Sequence, residues 1–292
     1  IAEGMFAPPE DLPVIQLSDG AGEVVTVGAD VLTLQVDDRV TQLFYPRCQS
    51  GDDLAYERSV STGLEAPGCL REYGAFDETA VVKVPDHLSA EQAACFPCAG
   101  LTAWSALVEQ GGITAGNIVL LQGTGGVSMF GLQIAKLRGA ETIVISSRDD
   151  KLQRAKEIGA DHLINYRSDP DWHKTARKIA GGIGVDHVVD VGGADTLNKS
   201  IAAVRPSGVV STIGVLGGVS CEIGLGLVVT RNVRLQGVTV GSREMFENMC
   251  AALESHGTRP LIDERQFDFE ELPQALARLP KGEHVGKVVC EF

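Results

Sequence analysis

From Ser89 onward the chain alternates helical stretches with short apolar strands: IVLLQG, TIVISS, HLIN, HVVDVGG, VVSTIGV and RLQGVTV. Strands that read as near-continuous apolar runs are buried on both faces, and strands separated by helices pair in parallel through crossovers. This order predicts an α/β chain with a doubly wound parallel sheet, whose ligands sit at the carboxyl ends of the strands. The length of 292 residues leaves room for a second domain. Up to about Asp86, the segments GEVVTVGADV, DDRVTQLFYP and GAFDETAVVKVP alternate loosely between Gly, Pro and Asp punctuation, as in an irregular, β-rich open barrel. Between Pro46 and Gly68 the run RCQSGDDLAYERSVSTGLEAP lacks a period and reads as a long surface loop bordering a site. The closing segment, QFDFEELPQALARLPKGEHVGKVVCEF, predicts a helix and then a strand returning to the first domain.

The stretch LLQGTGGVSMFGLQIAKLRGA joins a strand, a glycine turn and a helix whose apolar positions Phe130, Ile134 and Leu137 recur until Gly139. In such a turn, Gly123 permits the tight bend and Gly125 lets the main chain approach a diphosphate. The helix start at Gly126 and Val127 directs N–H groups toward that diphosphate, with Thr124 inside the turn. Ser128 stands where a third glycine is usual. A serine there either fits between helix and strand or reaches the phosphate, and Gly131 supplies further close approach. About 20 residues on, NAD-selective folds carry an acidic residue for the adenosine ribose. At that spacing from Gly125 this chain has Ser146, followed by Ser147 and Arg148. Hydroxyls and a guanidinium without a carboxylate point to a 2′-phosphate, hence NADP. Asp149 is expected to cap the next helix, placing Lys151 in its first turn as a cation that favours a nearby anion. The competing reading of Arg-Asp-Asp-Lys is a solvated turn whose acids satisfy its bases.

Composition limits the partners. A net charge of −14 gives no general attraction to nucleic acid or to an anionic membrane. No apolar run reaches the length of a membrane span and no signal sequence opens the chain, so a cytoplasmic location is expected. Seven scattered cysteines indicate reduced thiols. Cys95-Phe96-Pro97-Cys98 has the spacing of a redox dithiol or half a zinc site, but no second pair completes four ligands. It lies in a helical pattern that Ser89 caps with Gln92 three residues on, and it reads as buried small thiols.

Taken in order, LSDGAGEVVTVG, DDRV, VKVPDHLSAEQAACFPCAGLTAWSAL, LLQGTGGVS, AKEIGADHLINY, GVDHVVDVGG, STIGVLGG and HVGKVV resemble the medium-chain dehydrogenase/reductase superfamily. The closer resemblance is to its zinc-independent, quinone-oxidoreductase-like and alcohol-dehydrogenase-like branch. The resemblance implies a GroES-like catalytic domain over residues 1–96, a Rossmann NADP-binding domain over 97–262, and a return to the catalytic domain over 263–292. It also implies some tens of residues ahead of Ile1, so that the catalytic domain is abbreviated at its N-terminus. The family pattern puts Tyr166 near the adenosine end, and the nicotinamide against Thr102, Gly192, Gly193, Gly214, Val215, Gly241 and Ser242. Zinc relatives carry Gly-His-Glu where this chain has Leu17, Ser18 and Asp19. Cys98 matches another ligand position, and one thiolate and one aspartate do not make a three-ligand set, so no metal is expected.

The implied function is NADPH-dependent hydride transfer to a quinone, enone or reactive carbonyl, a small-molecule substrate, with no catalytic residue identifiable. A zinc-type alcohol dehydrogenase and a non-catalytic NADP-binding sensor are the alternatives. By analogy with relatives, late strands of the sheet, RLQGVTV among them, pair two subunits into a homodimer.

Overall fold

The computed structural model describes residues 14–51 and 60–292. The centre of the loop expected between Pro46 and Gly68, and the chain start, lie outside the described residues. The described chain forms two compact units. One takes the residues up to Leu101 with Val240–Ala277 and Val288–Phe292; the other takes Thr102–Thr239 and Arg278–Lys287.

In the first unit, β1 (Ala21–Glu23), β2 (Arg39–Gln42) and β3 (Val81–Lys83) make an antiparallel sheet in the order β1-β2-β3. These strands are shorter than the apolar segments suggested. Val25, Val27 and Leu32 are exposed and lie outside the ladder, and no strand among the described residues covers that stretch. A capping box starts α1 (Ala90–Ala93): Ser89 accepts from the Gln92 amide and Gln92 accepts from the Ser89 amide. Two π-helical turns, Phe96–Gly100 and Ser105–Glu109, flank α2 (Leu101–Trp104).

The second unit carries the sheet that the apolar runs predict. Its strands are β4 (Ile118–Gln122), β5 (Glu141–Ser146), β6 (His162–Asn165), β7 (Val185–Asp190), β8 (Val204–Thr212) and β9 (Arg234–Gly237). They are parallel in the order β6-β5-β4-β7-β8-β9. The helices between them are α3 (Gly126–Leu137), α4 (Asp149–Ile158), α5 (Trp172–Ile179), α6 (Leu197–Ala203) and α7 (Leu225–Thr230). Leu120, Ile143, Ile145, Val188 and Val210 form one buried face with Trp172, Ala176, Leu197 and Ile201 of α5 and α6. Successive strand residues point to opposite faces. Leu121 therefore faces the other way, where a Cβ on Gly131 of α3 would lie 2.7 Å from its side chain. Helices thus cover both faces. The strand order reverses between β4 and β7, which makes the carboxyl ends of those two strands the switch point where α/β sheets bind ligands.

The chain then re-enters the first unit with α8 (Arg243–His256), β10 (Phe267–Asp268), α9 (Leu272–Arg278) and β11 (Cys290–Glu291), β10 and β11 pairing in parallel. Among the described residues no helix is long and apolar enough to cross a membrane.

Candidate functional site

At the end of β4, Gly123 turns the chain with φ +75°, and its amide donates to Ile145 O at 2.7 Å. A side chain at that φ is strained, so the bend requires glycine. Gly125 is the N-cap of α3, and the first helical bond runs from Met129 N to Gly125 O at 3.0 Å. The amides of Gly126, Val127 and Ser128 precede that bond and have no intrahelical acceptor, at the positive end of a helix dipole. Among the described residues, nothing lies within 4 Å of the place a Cβ on Gly123 would take, and at Gly125 only His284 Nε2 comes that close, at 3.9 Å. The corner is an open cradle with donors on one wall, and it fits a diphosphate.

Ser128 is buried, and its Oγ donates to Gln122 O at 2.5 Å, back across the turn. Of the two roles open to it, the geometry selects packing between helix and strand. The serine replaces the close approach of a third glycine with a hydrogen bond, and Gly131 provides the contact with Leu121. Thr124 is buried, and its carbonyl accepts from Gly286 N at 2.9 Å.

The ends of β5 and β6 gather the next group. Ser146 is buried, Ser147 half-buried, and Tyr166 is 41% exposed with its amide donating to Ser146 O at 3.0 Å. Arg148, and not Asp149, is the N-cap residue of α4, in extended conformation. The expected aspartate cap does not form because Asp149 accepts from Asn165 Nδ2 at 2.7 Å. Arg148 makes a two-pronged ion pair with Asp150, at 3.0 and 2.5 Å, and this neighbour holds the Asp150 carboxyl below the usual carboxylate range. Lys151 departs further from expectation. It is 7% exposed, and its ammonium donates to Gly282 O and to His284 O (2.9 Å) rather than standing open toward a phosphate.

At the end of β7, Gly193 has φ +72°, and a Cβ there would lie 2.8 to 2.9 Å from backbone atoms of Val215, Gly214 and Gly218. Gly217 N donates to Gly192 O at 2.7 Å, so the Gly192–Gly193 and Gly214–Val215 turns form one packed pair. Beneath them lies a group that the sequence reading missed. The Asp190 carboxylate, fully buried, accepts at Oδ1 from Gly192 N (3.1 Å), Gly193 N (2.9 Å) and Thr196 Oγ1 (2.8 Å). At Oδ2 it accepts from Gln122 Nε2 (3.1 Å) and Ser200 Oγ (2.5 Å). Gln122 Oε1 also accepts from Gly192 N at 3.3 Å, tying the end of β4 to the turn after β7. The available signal was a polar residue closing each of two apolar strands, Gln122 and Asp190.

Thr102 is buried within α2. Gly241 and Ser242 belong to the first unit, where Ser242 caps α8 by accepting from Met245 N at 3.3 Å. The preceding Val240, β-branched and at φ +51°, occupies the left-handed region that such residues avoid. In the same unit, Leu17 to Asp19 are held by the 63–70 segment: Cys69 N donates to Leu17 O at 2.8 Å and Ser18 Oγ donates to Asp19 at 3.1 Å. Burial, with Asp19 nearby, pushes the Cys69 thiol up to about 12, so it is protonated and donates to Gln42 Oε1 at 3.3 Å. Among the described residues no three His, Cys, Asp or Glu side chains gather as a metal would require.

Comparison with known proteins places this geometry. Residues 1–86 match the model of the alcohol dehydrogenase GroES-like domain, and residues 126–255 match that of the zinc-binding dehydrogenases. A zinc-type alcohol dehydrogenase-like protein of Schizosaccharomyces pombe is 38% identical over 298 residues, covering 100% of this chain and 86% of its own. The chain belongs to the medium-chain dehydrogenase/reductase superfamily. Among solved members of the superfamily, an NAD-dependent alcohol dehydrogenase is 30% identical with a TM-score of 0.89, over 99% of this chain and 86% of that one. A quinone oxidoreductase of Pseudomonas syringae is 27% identical with a TM-score of 0.80, over 97% and 84%. As a medium-chain dehydrogenase/reductase the chain is an oxidoreductase of the alcohol dehydrogenase-like kind, and its cofactor is a nicotinamide dinucleotide.

Proposed function

We propose that the chain is an NADPH-dependent reductase that passes hydride to a quinone, enone or reactive carbonyl without zinc. The reading is carried by the end of β5, where Ser146 and Ser147 stand in place of the ribose-binding carboxylate and Arg148 follows. The Arg148–Asp150 pair is half exposed, and surface pairs of this kind contribute at most about 1 kcal/mol. The guanidinium therefore exchanges Asp150 for a 2′-phosphate at little cost. Bound NADPH supplies the hydride. The chain contributes the cradle of amides after Gly123, the Tyr166 ring at the adenosine end, and the Gly192–Gly193 and Gly214–Val215 turns for the nicotinamide. The zinc-independent part rests on Leu17 and Ser18, where zinc relatives hold a glycine and a histidine. Acceptors already activated toward hydride need orientation more than a Lewis acid.

The test is loss of reduced-nicotinamide absorbance with NADPH and with NADH over a panel of quinones, enones and aldehydes. Turnover with NADPH at least ten-fold more efficient than with NADH is expected. Turnover of no acceptor, or a preference for NADH, sinks the proposal. The relatives' names favour a second reading, a zinc-dependent alcohol dehydrogenase using NAD. Stoichiometric zinc and chelator-sensitive alcohol oxidation by the purified protein would establish that reading instead. That no disulfide forms among the described cysteines suits the reducing conditions of a cytoplasm.

A second copy of the chain is the partner that fits the open edge of the sheet. Among the described residues β9 pairs only with β8, and the connection from β8 to β9 exposes Leu216 (85%), Val219, Leu225 and Val229. Exposed apolar side chains in the connection leading to an unpaired edge strand support an association surface there. Light scattering is expected to give twice the chain mass, and the double variant Leu225→Asp/Val229→Asp the single mass. A wild-type monomer would refute the homodimer.

A further inference from the structure

The return segment Arg278–Lys287 packs in the second unit, where it closes over the glycine turn. Gly286 N donates to Thr124 O, and Gly286 pairs with Gly125 in an isolated parallel bridge. Two residues earlier, His284 puts its Nε2 within 3.9 Å of the point that a Cβ on Gly125 would occupy. Gly125 is the residue whose missing side chain lets a diphosphate approach the main chain. The imidazole therefore borders the same space that the helix amides face. Its position is fixed from below. Lys151, in the first turn of α4, donates to the carbonyls of Gly282 and His284, using two of its three protons.

We propose that His284 is a diphosphate ligand, donating from Nε2 to the bound dinucleotide, and that Lys151 is a positioning residue that holds the return segment so that it does so. The inference rests on the glycine turn being the diphosphate site. It gives Lys151 a task that explains a buried cation at a helix start: the ammonium orders a main-chain strap and acts on the cofactor through His284. His284 opens the HVGKVV segment and Lys151 closes the Arg-Asp-Asp-Lys run, but nothing local to either links them, because the contact joins the start of α4 to a segment about 130 residues later.

The experiment titrates the full chain with ADP and with adenosine by calorimetry, and follows the histidine ring signals by NMR during the same additions. ADP, which carries the diphosphate, is expected to shift one imidazole signal strongly; that signal is absent from His284→Leu, and adenosine leaves it in place. His284→Leu is expected to weaken ADP about ten-fold, the usual worth of a hydrogen bond to a charged group, with unchanged melting temperature. His284→Gln, which keeps an N–H donor, is expected to recover most of the loss. Lys151→Met is expected to weaken ADP in the His284→Leu background far less than in the wild type, since the two act through one contact. A wild-type His284 signal indifferent to ADP, or a His284→Leu variant that binds ADP as the wild type does, overturns the inference while leaving the glycine-turn reading intact. A wild type that binds neither ADP nor either reduced dinucleotide overturns that reading and the inference together.

Discussion

Asp190→Asn is expected to lower the unfolding free energy by about 3 kcal/mol and to weaken nicotinamide dinucleotide binding at least ten-fold. The substitution keeps the shape of the side chain and changes only what it accepts. Five donors converge on the carboxylate, two of them the main-chain amides of Gly192 and Gly193, which have no freedom to rotate away. An asparagine turns its NH2 either toward those amides and Thr196, or toward Gln122 and Ser200. In the second orientation the Ser200 hydroxyl reverses and accepts, but the Gln122 amide meets another donor. Flipping Gln122 turns its NH2 toward the Gly192 amide, itself a donor that keeps Oδ1 at 3.1 Å, and leaves that NH2 without an acceptor. At least one buried donor is left unsatisfied whichever way the amide faces. The loosened element is the Gly192–Gly193 turn, and with it the Gly214–Val215 turn that packs on it. Urea unfolding and dinucleotide fluorescence titration measure the two effects. A variant within 1 kcal/mol of the wild type would show that the five bonds are replaceable by water or by relaxation.

The arrangement around Asp190 marks where sequence reading stops. The run HVVDVGG announces a strand and a glycine turn, because apolar continuity and glycine are local signals; that its aspartate gathers groups from β4, α6 and its own turn is long-range and leaves no local trace. The same division holds elsewhere. The inner strands β4, β5 and β7 were legible because they are buried on both faces and so read as near-continuous apolar runs, whereas β9, largely exposed, carries Arg234 and Gln236. The glycine turn was legible because bend, open approach and helix start occupy consecutive positions. Ser128 was legible as a small residue, but its acceptor is a main-chain carbonyl, Gln122 O, which no side-chain pattern encodes. Lys151 shows the cost of a local argument. A cation in a first helical turn does call for negative partners, and the fold supplies them as carbonyl oxygens of Gly282 and His284. The Asp149 cap failed by one position for a similar reason, its carboxylate being taken by Asn165 of β6. In the first unit, alternating β-branched residues suggested longer strands than form, since alternation predicts a strand only where a neighbour exists to pair with it.

His187 gives the second large effect, on the acid limb of stability. It sits on β7 with 1% exposure; its Nε2 meets Ser211 Oγ at 2.8 Å, and its Nδ1 has no hydrogen-bond partner among the described residues. A Cβ on Gly111 would lie 2.6 Å from the ring, so that glycine makes room for it. Burial, reinforced by the positive charge of Arg234 and opposed by Asp186, lowers the imidazole from 6.5 to about 3. The native state therefore keeps this ring neutral while the unfolded chain protonates it near 6.5. Between those values the unfolded state binds the extra proton, so stability falls as pH falls, starting near pH 6.5 and continuing toward pH 3. The depressed value corresponds to a loss on the order of 4 kcal/mol across that window, none of it felt above pH 7.5. Carboxylates such as Asp38 and Asp161, which their partners hold low, add their own acid dependence below about pH 4. A comparison of variants removes that shared background. His187→Gln keeps a polar group beside Ser211 and does not titrate. Its urea midpoint is expected to lie below the wild type at pH 7.5 and to change less between pH 6.5 and pH 4.5, so that the two curves converge or cross. Parallel curves over that range would mean that the buried ring reaches water, or is already protonated, in the native state.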